Sequence, residues 1–287
     1  MITIRDFLVR GLLAGLVGGV LAFGVAYFVG EPSVDASISI EEAGSAAETP
    51  VTNPATAATE THTHGDEATA EHSHGEGEAV TAHSHGGETE VPRSLQSTVG
   101  LLTGTALLGV ALGGLVGVGA GVSVGRLGRL GVRGTAIATA ATGFLVLYAV
   151  PFLAYPPNPP AVGHGDTIGY RTMLYFTMVG LSVAFAAIGL IAWKRLEPRV
   201  GGWHAGVIAV AGYVVVAVVT IALMPGYNEV PDDFPAQVLF QFRQGSLLTQ
   251  LALWTGIGVT LAELSHRLVT SRRSVAPVEP EATPVPA

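Results

Sequence analysis

The chain has no cysteine among its 287 residues, which removes structural disulfides and thiolate metal sites together. Its only lysine is Lys194, and it has no Gly-x-x-x-x-Gly-Lys-Ser/Thr run, so the chain does not energise anything with a nucleotide by itself. There is no nucleophile elbow, no His-Glu-x-x-His and no carboxylate pair within an apolar run, and an enzyme is not expected. Bases are few and scattered, which speaks against nucleic-acid binding. Charged residues make up only 13% of the chain, too few for an ordinary soluble surface.

What is present is apolar: 49% hydrophobic residues and 38 glycines, the composition of a multi-span membrane protein in the lipid bilayer. A helix needs about 20 mainly apolar residues to cross the bilayer core. Six stretches qualify: 11–29, 100–124, 135–153, 172–193, 205–224 and 246–264. Eleven of the fourteen bases precede the first stretch, follow the last, or join stretches two to three and four to five. The opposite side carries only Arg93, Arg171 and Arg243, yet seventeen of the twenty-two acids. By the positive-inside rule, this predicts an all-α bundle of six membrane helices in a cell membrane, with both termini cytoplasmic. Arg5 and Arg10 also resemble a signal-peptide n-region, but the apolar run is long for one and no clean cleavage site precedes Glu31. The expected division is 1–30 for the N-terminus and first helix and 31–98 for an acidic, mostly disordered outer loop. It continues with 99–266 for five further helices and 267–287 for a disordered tail rich in proline.

Gly11, Gly15 and Gly19, and then Gly109, Gly113, Gly117, Gly121 and Gly125, recur every four residues and form stripes on their helices. They predict close contact of the first two helices with each other or with a partner, including another copy in a homo-oligomer. A narrow permeation path lined by backbone is the alternative. A faint repeat, with Arg93, Arg171 and Arg243 each standing before a returning helix, suggests three tandem helical hairpins.

The candidate metal ligands lie on the acid-rich side. Between Glu48 and Glu90 three His-x-His pairs, His62/His64, His72/His74 and His83/His85, stand among carboxylates. Paired neutral imidazoles on a flexible chain chelate divalent transition metals with little selectivity. The next loop holds four prolines with Asn158, His164 and Asp166, and the third holds Asn228, Glu229, Asp232 and Asp233. Proline stiffening and oxygen or imidazole donors suit a receiving site for a cation. The alternatives are a rigid cover for the bundle and acids that only pair with Arg171 and Arg243. Glu263 is placed to pair with Arg267 at i+4, His204 and His266 are read as interfacial, and Met173, Met178 and Met224 as packing.

Several segments resemble the CbtA-type family of predicted cobalt transporter subunits. They are Arg10 to Gly15, Gly30 to Asp35, Gly100 to Gly104, Gly125 to Arg129, Val150 to Thr172, Tyr175 to Met178 and Asn228 to Pro235. The resemblance runs from Arg5 to about Leu264. It implies a cobalt permease component tied to cobalamin biosynthesis and paired with a small single-span, His-containing CbtB subunit. The family is usually drawn with five spans, against the six read here, and it brings no catalytic residues or bound cofactor to transfer. The expected function is uptake of divalent cobalt, or nickel or zinc, gathered by the histidine loop and received at the Asn158 and Glu229 loops. A membrane metal-binding or sensing protein that transports nothing is the alternative.

Overall fold

The computed structural model describes residues 3–48, 91–127 and 130–274. The described residues are all helical apart from turns and loops, and six helices are long and apolar enough to cross a membrane: Ile4–Ser45, Arg93–Ser123, Val132–Ala154, Gly165–Val200, Gly202–Leu223 and Ala236–Ser271. They are called spans 1 to 6. The protein is a multi-pass membrane protein, and the six expected helices are present. The ends bearing the proline loops are called the acidic end and the opposite ends the basic end.

Span 1 starts at a reciprocal cap: Asp6 N–H donates to the Thr3 hydroxyl, and the Asp6 carboxylate accepts from Thr3 N–H. The helix then continues without a break through Glu31–Glu48, so the chain stays helical where the sequence reading places a loop. Serines carry this polar extension. The Ser33 and Ser39 hydroxyls donate back to carbonyls three or four residues earlier, and Ser33 and Ser37 are fully buried. Pro32 is accommodated by a π turn at Ala26–Gly30, and Pro151 follows a second π turn at Leu145–Ala149 in the same way. A proline ring clashes with the carbonyl four residues before it, and the widened turn provides relief. A third π turn, Gln96–Gly100, opens span 2. Span 6 likewise overruns its expected end, and the helix reaches Ser274 inside what was read as tail.

The two glycine stripes face each other. A Cβ on Gly19 would stand 2.5 Å from the Thr105 carbonyl oxygen, one on Gly113 2.5 Å from Gly15 Cα, and one on Gly117 2.9 Å from Gly11 Cα. Spans 1 and 2 thus touch backbone to backbone. Gly121 continues the contact against the Phe7 ring, but Gly125 has left the stripe: at φ 76° it turns the chain after span 2. Span 6 closes on the other face of span 1, where Gly256 meets Gly18.

Two apolar clusters result. Spans 1, 2 and 6 with the first part of span 3 bury Phe7, Ala14, Val116, Ala140, Trp254, Ile257 and Leu261. Spans 4 and 5 with the last turns of span 3 bury Val150, Tyr155, Leu174, Met178 and Ala217. Span 3 belongs to both clusters, and its π turn marks the changeover. The three tandem hairpins are not the packing units. Only the first packs along its length; span 6 lies on spans 1 and 3, and span 5 lies on span 4.

Candidate functional site

Two features meet at the acidic end: a latched pair of proline loops and a cavity beside them. The loop after span 3 and the loop before span 6 are tied by side chains from each. The rings of Tyr155 and Tyr227 stack at 5.5 Å, and the Tyr155 hydroxyl donates to the Pro225 carbonyl at 2.9 Å. Glu229 accepts from the His164 backbone N–H at 3.1 Å and lies 3.3 Å from Arg171 Nε, with its side chain 10% exposed. The Arg171 guanidinium also donates to the His164 carbonyl and packs under Gly163, whose φ of 114° leaves no room for a Cβ. Arg243 donates to the Asn158 side-chain oxygen at 3.0 Å and to the Pro157 carbonyl at 3.3 Å.

The Glu229 carboxyl is held below its usual range, first by the Thr167 hydroxyl, against the desolvation of its site, and further by the His164 N–H and the Arg171 charge. The Thr167 hydroxyl also stands 2.9 Å from the His164 carbonyl, and its single hydrogen serves one partner at a time.

The expected ligands are thus distributed unequally. Glu229 and the backbone of His164 are brought together, while Asn158 is half-buried on Arg243. The Asn228 side-chain oxygen accepts from Val230 N–H in a local turn, and Asp232 stands exposed in the turn from Pro231 to Phe234. His164 and Asp166 are exposed. Among the described residues no three histidine or acidic side chains gather closely enough to hold a metal ion. His62, His64, His72, His74, His83 and His85 lie outside the described residues.

Each acidic-end arginine bridges to a segment distant in sequence. Arg171 of span 4 reaches the last loop and Arg243 of span 6 the middle one. Arg93 of span 2 pairs with both Glu31 and Asp35 on the extension of span 1, the latter at 3.0 Å. The repeated arginine is therefore a set of crossed latches, a role that the hairpin repeat only hinted at.

The cavity has a volume of about 330 Å³, is bounded chiefly by spans 1 and 6 with Tyr148 of span 3 and Leu101 of span 2, and has mainly apolar walls. Its polar lining is Glu31, Tyr148, Ser246, Thr249 and Gln250, with Pro157 at the rim shared with the loops. The Glu31 side chain is only 14% exposed. The Tyr148 hydroxyl is buried with no hydrogen-bond partner. Gln250 accepts from the Trp254 indole N–H at 3.1 Å, and the Trp254 ring sits where a Cβ on Gly143 would come within 2.8 Å of it. Sequence reasoning overlooked this group. The available signal was the polar set Ser246, Thr249 and Gln250 at i, i+3 and i+4, which puts all three on one face of span 6.

At the basic end Glu263 is paired twice, with Arg267 at 2.8 Å and Arg133 at 2.6 Å, and Lys194 donates to the Arg126 carbonyl at 2.6 Å. Met178 is fully buried and Met173 is 56% exposed, so the methionines form no continuous thioether line.

The chain is thus a six-span helical membrane protein with a cavity among its helices near the acidic end. The chain belongs to the CbtA family, described as probable cobalt transporter subunits, whose model matches residues 4–266. The match covers all six spans. Neither a curated protein nor a solved structure matches the chain.

Proposed function

We propose that the chain is the permease subunit of an uptake system for a divalent transition metal, with cobalt the first candidate and nickel or zinc the others. The observation that carries this reading is the family match along residues 4–266, which takes in every span and both proline loops. The family's description as a subunit supports a partner, and a small single-span CbtB-type chain fits that role. The acidic end faces outward and both termini are cytoplasmic, in keeping with the distribution of bases. The histidine pairs between Glu48 and Glu90 gather the ion. The exposed His164, Asp166, Asn228 and Asp232 receive it at the surface. Asn158 and Glu229 become donors when Arg243 and Arg171 yield them. A membrane gradient or the partner subunit supplies the energy, since the chain has no nucleotide-binding motif.

The test is accumulation of labelled cobalt in cells or vesicles with and without the chain and its partner. Accumulation that depends on the chain is the expected result. Zero accumulation despite correct insertion overturns the reading in favour of a protein that binds or senses metal without moving it. Deleting Glu48 to Glu90 is expected to lower uptake at scarce metal and to spare it at saturating metal.

A further inference from the structure

We propose that the cavity between spans 1, 3 and 6 is the site at which the transported divalent cation is held at the acidic end, partly hydrated and on oxygen donors. The proposal rests on the transport reading and deepens it by assigning the ion a place among the helices, away from the histidine pairs and the proline loops.

Size, lining and backbone agree on a small hydrated ion. Six waters at ~30 Å³ each, with the ion, need about 200 Å³, within the 330 Å³ available. Among mainly apolar walls the lining offers a carboxylate on Glu31, hydroxyls on Ser246 and Thr249 and an amide on Gln250. These are the donors of a hard or borderline cation. The Tyr148 hydroxyl has no protein partner but is itself buried, so its side chain walls the cavity without offering that oxygen to it. Two of the three π turns contribute lining residues, Ala26 and Gly30 from one and Tyr148 from another, and Leu101 adjoins the third. Such turns occur mostly as single interruptions of an α-helix and frequently at functional sites. Gly245 and Gly30 approach each other here, where a Cβ on Gly245 would lie 3.1 Å from Gly30 Cα. Trp254, one turn nearer the basic end, donates its indole N–H to Gln250 and so fixes that amide.

Charge sets the mode of binding. The charges around the cavity are Glu31 and its neighbour Asp35, both paired with Arg93, and Arg243 at the Pro157 rim. They balance, so an incoming dication binds by taking Glu31 from the Arg93 guanidinium. Such competition keeps occupancy weak and reversible, which conduction requires. An oxygen site also lacks the nitrogen and sulfur donors that distinguish cobalt from manganese or magnesium. Manganese is therefore expected to compete at this site although the histidine pairs favour other metals.

The absence of native cysteine makes the test clean. In the full chain with its partner, Ser246→Cys is labelled in vesicles by a membrane-impermeant thiol reagent with and without cobalt or manganese. Labelling from the acidic side is expected, about tenfold slower when the ion stands at ~10 times its Kd, by simple occupancy. Glu31→Gln is expected to abolish that protection. Thr249→Val, which leaves the Arg93 pair intact and so controls for folding, is expected to weaken it. No labelling, labelling that ignores both metals, or protection that survives Glu31→Gln overturns the proposal. Labelled-cobalt uptake by the same vesicles separates the two readings. Uptake without protection removes the cavity assignment and leaves transport standing. Protection without uptake removes transport and leaves a cation site.

Discussion

Spans 1 and 2 meet through Gly11, Gly15 and Gly19 on one helix and Gly109, Gly113 and Gly117 on the other, whereas spans 4 and 5 meet through side chains, among them Met178, Leu174 and Ala217 with a Ser182–Tyr213 hydroxyl pair at 2.8 Å. Lipid is as apolar as leucine, so helices in a bilayer gain nothing from burying apolar surface against each other; close van der Waals packing and polar bonds hold them instead. The glycine pair uses the first means alone, backbone against backbone, and the second pair adds a hydroxyl pair to side-chain packing. Span 5 shows the difference most clearly: 6% of its apolar window is buried, against 39% for span 6. One side of the molecule is a fixed scaffold carrying the cavity, and the other is a two-helix appendage joined to it through span 3 and the latched loops.

The largest effect should come from placing a side chain between the paired backbones. Gly15→Leu is expected to destabilise by about 3 kcal/mol, the upper end of overpacking costs, because a Cβ there already strikes the Gly109 carbonyl. Gly212→Leu in span 5, with nothing within 4 Å, should stay within about 0.5 kcal/mol. Thermal unfolding in detergent measures both, and equal losses would break the distinction between the halves. Next comes the latch. Arg171→Glu should expose both proline loops to external protease, and the exchange Arg171→Glu with Glu229→Arg should restore protection.

The same pairing has a defined pH range. The Glu229 carboxyl is held below its ordinary value of 4.5, so its stabilising contribution is present above that pH and is lost as the pH falls through the lowered value. Loop protection should therefore be flat from neutral pH down to 5 and fail only in stronger acid. Opening near pH 6.5 would show that another group holds the loops. Tyr155→Phe, which removes the bond to the Pro225 carbonyl, should cost about 1 kcal/mol. Smallest is Ala161→Gly, expected to stabilise by up to ~1 kcal/mol because Ala161 sits at φ 64°, where a Cβ is disfavoured.

The membrane helices were legible because bilayer thickness imposes a length that hydropathy reports directly, and the glycine period of four encodes a contact face. The extension Glu31–Glu48 was not legible. Its helix is polar, and its buried serines report a neighbour rather than a pattern. The arginine repeat was visible in Arg93, Arg171 and Arg243, but spacing cannot say that each reaches across to another segment. The cavity was hidden for the same reason: Glu31, Tyr148 and Gln250 are far apart in the chain, and only the close approach of spans 1 and 6 at Gly30 and Gly245 unites them. The metal-ligand expectations rested on side-chain type, which alone could not tell that Asn158 and Glu229 already hold arginines.

The uninterrupted first helix also sets a height. Arg93 is level with Asp35, to which it is bonded, while the helix runs on for thirteen more residues to Glu48. At 1.5 Å per residue that is a rise of about 20 Å. The described helix therefore stands as a mast above the point where Arg93 brings span 2 against Glu31.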